Sequence, residues 1–215
     1  MPTFTSANDL GSFMLEAHAQ ATQLGKLAQG PYLVAIDGRS GSGKTTLARQ
    51  IQDILATAGT TVELFHLEDL YQGWDGLAQA VQTWQELALS LTGDGTDPGP
   101  TPLWYGWDWQ SGQATGPHIF TPAQAPAGSI VLAEGVGALC GTHDLGVLIE
   151  LDTLTRKDRA LIRDGDTYRP YWDRWALQEE ALYSHYRHIY HAVQVTYRPT
   201  EGPHTVEYAW PETTR

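Results

Sequence analysis

Residues 32 to 51 read Tyr32-Leu33-Val34-Ala35-Ile36-Asp37-Gly38-Arg39-Ser40-Gly41-Ser42-Gly43-Lys44-Thr45-Thr46-Leu47-Ala48-Arg49-Gln50-Ile51. The first five form an apolar run of strand length, and the stretch from Thr46 to Ile51 reads as a helix. Between them, Gly38 to Thr45 matches G-x-x-x-x-G-K-[ST], with Thr46 following. Gly38, Gly41 and Gly43 let the backbone N–H groups of the loop, those of Ser40 and Ser42 included, turn inward around an anion. The N-terminus of the following helix, at Thr45 and Thr46, adds its partial positive charge. Lys44 is long enough to reach β and γ phosphates, and the Thr45 hydroxyl is a ligand for Mg²⁺. The stretch therefore predicts a cradle for a nucleoside triphosphate.

Upstream of this stretch, Leu10, Phe13, Met14, Ala17, Ala21, Leu24 and Ala28 stand at helical spacing over about residues 8–29, ahead of Gly30-Pro31, where a helix should stop. Downstream, Thr61 to Leu67, Ser129 to Ala133 and Gly146 to Leu151 read as further strands. Helices alternating with short apolar strands predict an α/β fold: a three-layer P-loop NTPase sandwich with a mostly parallel central sheet, its site at the C-terminal ends of the strands. Residues 1–215 are expected to form one domain. Residues from about 92 to 128 are rich in Gly, Pro, Thr and Trp and hold no convincing helix. Trp104-Tyr105-Gly106-Trp107-Asp108-Trp109 argues against disorder there, so a small aromatic-rich insertion beside the site is expected.

The formal net charge of the 215 residues is −12 and the sequence pI about 4.9. That balance argues against nucleic acid and against an anionic membrane as partners, since either needs a basic face. Phosphate must be held by a few placed cations. Cys140 is the only cysteine, which excludes an intrachain disulfide and reads as a buried spectator thiol in a reducing compartment. No run is long and apolar enough to cross a membrane, and the first residues lack the pattern of a signal peptide, so a cytoplasmic location is expected.

Two strands end in acidic residues: one in His66-Leu67-Glu68-Asp69-Leu70-Tyr71, the other in Glu134-Gly135-Val136. In a parallel sheet both ends open on the edge that carries the phosphate loop. Phosphoryl transfer to an alcohol needs a carboxylate to accept the hydroxyl proton and others to hold the metal, so Glu68 or Asp69 is the candidate base, with Glu134 and Glu68 beside Thr45 as candidate metal ligands. Arg156, Arg159 and Arg163 stand at i, i+3 and i+7, which puts all three on one helical face. In a chain this acidic they read as a helical lid over about residues 155–170, with Arg156 on the nucleotide and Arg159 and Arg163 on the transferring group. His185, His188 and His191 fall off the apolar stripe of a late helix and read as a solvated face.

The order of these motifs resembles the uridine kinase branch of the P-loop kinases, which also includes pantothenate kinase and phosphoribulokinase. The likeness runs from Tyr32 to Asp164, with residues 192–196 matching the last strand of that family. The resemblance implies ATP and Mg²⁺ as cofactors. Its Asp-x-Phe-Tyr element, whose Asp is the base, falls on Glu68-Asp69-Leu70-Tyr71, and its metal-associated Glu-Gly falls on Glu134-Gly135. Its substrate stretch matches Trp107-Asp108-Trp109, and its lid arginines match Arg156, Arg159 and Arg163.

Between Arg49 and Arg156 there is no lysine or arginine. A phosphorylated acceptor would need a cation there. Asp75 and Asp108 can instead accept from hydroxyls, while Tyr71, Trp74, Trp107 and Trp109 offer rings; Arg169 is the cation beyond the lid that could still reach the acceptor. The expected reaction is transfer of the ATP γ-phosphate to a neutral small-molecule acceptor, foremost a nucleoside. The alternatives are a nucleoside monophosphate kinase or a nonenzymatic nucleotide-binding regulator. A guanine-reading N-K-x-D element is missing, since none of Lys26, Lys44 and Lys157 stands in that context.

Overall fold

The computed structural model describes residues 2–28, 30–92, 103–119 and 125–199. In chain order the elements are β1 (Thr3–Phe4), α1 (Ala7–Gln23), β2 (Tyr32–Asp37), α2 (Lys44–Thr57), β3 (Val62–His66) and α3 (Leu77–Thr92). There follow β4 (Leu103–Asp108), β5 (Gln113–Ile119), β6 (Ile130–Glu134), β7 (Leu145–Ile149), α4 (Thr153–Tyr168), α5 (Trp172–His185), α6 (Arg187–His191) and β8 (Val195–Tyr197). Short 3-10 turns at Leu67–Leu70, Gly73–Asp75, Ala138–Cys140 and Arg169–Tyr171 join them.

Six strands form one sheet in the order β1-β8-β7-β2-β6-β3, with every pairing parallel. All six residues of β2 and all five of β6 are buried. That is why both read as continuous apolar runs: helices cover both faces of a parallel sheet. The strand period of two divides the β2 side chains between the two cores. Val34 and Ile36 join Leu10, Met14, Leu47 and Ile51 of α1 and α2, whereas Leu33 and Ala35 join Trp84, Leu87, Trp175 and Leu182 of α3 and α5. The three layers are thus α1 and α2, the sheet, and α3, α5 and α6, as the alternating pattern predicts. No helix among the described residues is long and apolar enough to cross a membrane.

The boundaries differ from expectation where a glycine intervenes. Helix α1 stops at Gln23, several residues short of the expected end, because Gly25 takes a left-handed conformation (φ 72°). Its N–H bonds to the Thr22 carbonyl and that of Lys26 to the Ala21 carbonyl, which satisfies the last turn. Helix α3 lies in a stretch the periodicity reading left unassigned. The part of the insertion at 103–119 is an antiparallel hairpin, with Leu103 opposite Ile119 and Asp108 opposite Gln113; residues 93–102 and 120–124 lie outside the described residues. Its turn is closed by Asp108, whose carboxylate accepts from the Gln110 N–H (2.9 Å) and the Ser111 hydroxyl (2.6 Å). Trp104 stands edge-on to Phe65 of β3, which stacks on Trp84. Gly106 passes so close to the Asp69 carbonyl that a Cβ there would lie 3.2 Å from it, so the hairpin sits over the turn that carries Glu68 and Asp69.

Candidate active site

The phosphate loop joins β2 to α2. Gly43, left-handed at φ 95°, caps the helix, and Gly41 (φ 79°) passes against the Arg156 carbonyl, where any Cβ would clash. Lys44 opens α2, and its ammonium reaches back over the loop to the Arg39 carbonyl (3.3 Å). Burial lowers the pKa of that ammonium, while the carboxylates of Glu134, Glu179 and Asp37 act against the shift.

Glu134 ends β6 and pairs in register with Ile36 on one side and His66 on the other. Parallel pairing thus carries the last residue of β6 to the mouth of the loop. The Thr45 hydroxyl donates to Glu134 Oε1 (2.9 Å), and His66 Nδ1 lies 2.6 Å from the same oxygen. Burial alone would raise the Glu134 carboxyl, but the His66 hydrogen bond, Lys44 and Thr45 outweigh it and hold the group below its ordinary range. The same hydrogen bond lifts His66 above the usual imidazole value. Thr45 and Glu134, predicted from separate motifs, are therefore in direct contact.

The two acidic residues after β3 face different neighbours. Glu68 is open to solvent but ringed by protein, which raises its carboxyl; Arg163 and Lys44 pull it down. Asp69 is also raised by its surroundings, and the charges that act on it are those of His66, Glu134 and His118 of the hairpin. Glu68 thus lies within the fields of the loop and lid cations, and Asp69 within those of His66, Glu134 and His118.

The three lid arginines part company. Arg156 is buried, 5% exposed, and points into the fold: its Nη1 donates to the Ser40 carbonyl (3.0 Å), Nε to the Leu151 carbonyl (3.3 Å) and Nη2 to the Thr153 hydroxyl (3.1 Å). It braces the loop from behind, a role that a shared helical face does not disclose, since that face fixes only approximate direction and the first turn of α4 is pressed against Gly41. Arg159 is half-buried, and its Nε is without a hydrogen-bond partner among the described residues. Arg163 pairs with the adjacent Asp164 (2.7 Å) within the field of Glu68. Beyond them α4 breaks at Gly165 (φ 54°, ψ −131°).

On the acceptor side several expectations shift. Tyr71 is core rather than lining: it is 6% exposed, its hydroxyl donates to the Val136 carbonyl (3.2 Å), and the Val136 N–H donates to it (3.0 Å). It braces the turn after Glu134. Asp75 is held by the Arg174 guanidinium through both carboxylate oxygens, and Asp108 closes its own hairpin turn, so both carboxylates are already engaged. Trp74 stacks on Tyr171 (4.5 Å) and Tyr168 (5.2 Å) and meets Trp109 (4.8 Å), while Trp107 lies against Gly73. The aromatics do gather beside the lid, but on one another. Arg169 is exposed near Asp166 (3.5 Å). A cavity of about 430 Å³ opens on the other side of the loop, lined by Arg39, Ile149, Asp152, Thr153, Arg156 and Tyr183.

No protein-family model matches the chain, and no curated protein matches it significantly. Among solved structures, it is similar to a candidate fructose transport system kinase from Silicibacter sp. TM1040, with 16% identity and a TM-score of 0.54 over 90% of this chain and 99% of that one. The fold is that of the P-loop NTPases. The chain is also similar to a possible uridine kinase from Bacillus stearothermophilus, with 18% identity and a TM-score of 0.49 over 78% of this chain and 89% of that one.

Within this P-loop fold, three polar residues that no sequence motif marks support the site. Asp37, fully buried, accepts from the N–H groups of Gly38, Gly137 and Leu139 and from the hydroxyls of Tyr183 and Tyr190. Burial raises its carboxyl, against the pull of those N–H groups and of Lys44. His66 steadies Glu134. Glu179 accepts from the Ser40 N–H at 2.7 Å. Cys140, by contrast, is the spectator expected: buried beside the Tyr190 hydroxyl, its thiol pushed up to about 12 by burial.

Proposed function

We propose that the chain is an ATP-dependent phosphotransferase that moves the γ-phosphoryl group to a hydroxyl of a small neutral acceptor, a nucleoside first among the candidates. The observation that carries this reading is the arrangement of Glu68. Its solvent-open carboxylate lies in the fields of both Lys44 and Arg163, with the Thr45–Glu134 pair close by. A base that takes a hydroxyl proton while cations stabilise the transferring group needs that layout.

The Thr45 hydroxyl and the carboxylates of Glu134 and Glu68 are the hard oxygen donors that suit Mg²⁺. When bound, the ion offsets phosphate charge. Lys44 and Arg163 hold the transferring oxygens and Glu68 takes the acceptor proton as the new O–P bond forms and the bond to ADP breaks. The cavity lined by Arg39 and Tyr183 adjoins the loop and has room for the base and ribose of ATP.

Two observations favour a neutral acceptor. Arg49 and Arg156 bound a span without cations, and Arg174, which enters from α5, is neutralised by Asp75. With Asp75 and Asp108 engaged, Asp69 and His118 between turn and hairpin become the groups best placed to read hydroxyls. The test is ADP release from Mg·ATP with nucleosides, sugars and each corresponding monophosphate. Acceptor-dependent turnover with a nucleoside or sugar is expected. A preference for monophosphates would make the chain a nucleotide kinase, and ATP binding without stimulation by any acceptor would favour the regulator.

A further inference from the structure

We infer that Glu179 is a positioning residue that sets the phosphate loop in its binding shape before nucleotide arrives. This rests on the proposed reading of the loop as a triphosphate site. Glu179 lies on α5, far from the loop in sequence, and is 1% exposed. Its Oε1 accepts from the Ser40 N–H (2.7 Å) and from the Trp175 indole N–H (3.1 Å). Arg156 approaches its other oxygen (3.9 Å) and donates from the same nitrogen to the Ser40 carbonyl (3.0 Å). The N–H and the carbonyl of one loop residue are thus held by two different side chains, from α5 and α4.

A buried carboxylate beside a site for polyanions has a cost, because its charge opposes the phosphates that Lys44 attracts. Its retention needs a return, and the geometry supplies one. The loop holds Gly38, Gly41 and Gly43, each free to visit conformations closed to other residues. Ordering them at the moment of binding would weaken affinity, whereas a loop pinned at Ser40 has lost that freedom on folding. Arg156, buried against Glu179, keeps the carboxylate compensated.

The inference is tested on the full chain without nucleotide by amide hydrogen exchange, read by NMR. The Ser40 amide should exchange at least ~100-fold more slowly than an exposed loop amide, and Glu179→Ala should remove at least about tenfold of that protection. Affinity for a nonhydrolysable Mg·ATP analogue should weaken about tenfold in Glu179→Ala. Glu179→Gln should bind within about threefold of the parent or tighter, since its amide oxygen can accept the same two hydrogen bonds. Leu182→Ala, one turn along α5 in the same core, should lose stability and keep its affinity per folded molecule.

A freely exchanging Ser40 amide in the parent chain overturns the inference. So does a Gln variant as defective as Ala, or a Leu182 variant that weakens binding equally. If Glu179→Ala does not fold, the parent exchange rate and the Gln variant still decide. A parent chain that ignores the analogue defeats the proposed function, while the exchange result stands by itself.

Discussion

Glu68 joins two opposed effects in one side chain. Its carboxyl is raised by the protein around it, so the folded chain binds that proton more tightly than the unfolded chain does. By linkage the ionised form disfavours folding at pH values above the raised pKa, and this penalty disappears as the pH falls through it. Glu68→Gln should therefore lower turnover at least ~100-fold, as expected for loss of a proton acceptor, and raise the melting temperature at neutral pH but not near pH 4. A calorimetric scan of the variant at both pH values, alongside the rate, checks both limbs; a lower melting temperature at neutral pH contradicts the linkage. Asp69→Asn, in the field of His118, should mainly raise the acceptor KM. The Lys44 ammonium donates to the Arg39 carbonyl of the loop and not to the core, so Lys44→Ala should stay folded by circular dichroism and lose turnover by orders of magnitude.

Helix α4 has two halves that meet at Gly165, whose φ and ψ (54°, −131°) lie outside what a residue with a Cβ adopts. Before it stand Arg156, Arg159 and Arg163; after it Tyr168 stacks on Trp74. Gly165→Ala should change that junction and lower kcat more than nucleotide affinity, as single-turnover and binding measurements would separate. In the parent chain, proteolysis between Asp164 and Tyr168 should slow when the ATP analogue is added, and equal cleavage would make α4 a fixed element. The sequence made some of this legible. The strand, loop and helix of residues 32 to 51 are local patterns, and β6 runs apolar up to Glu134. Arg156 escaped because helical phase tells which residues share a face, not what the face meets. Glu179 left a signal: it is the one acid on the apolar stripe of Trp172, Trp175 and Leu182. The pairing of Asp75 with Arg174 left none, since 99 positions separate them. The hairpin was obscured by its exposed face and by Gly106, Gly112 and Gly116, which weaken strand periodicity.

At the scale of the molecule, two cores flank one sheet, and the larger aromatic share lies beneath the site. Trp84 is 1% exposed, stacks on Phe65 and donates its indole N–H to the Ala138 carbonyl (2.8 Å). Trp84→Ala should cost about 3–5 kcal/mol in urea unfolding, seen as a lower transition midpoint. At the far edge of the sheet, β1 lies parallel to β8. The Thr196 N–H meets the Pro2 carbonyl (3.1 Å) and the Arg198 N–H meets the Phe4 carbonyl (2.9 Å). A mechanical load applied between residues 2 and 199 would pull these two parallel strands in opposite directions along their length. Their hydrogen bonds would then be sheared together instead of peeled one by one, making this short edge a force-bearing clasp in front of the rest of the sheet.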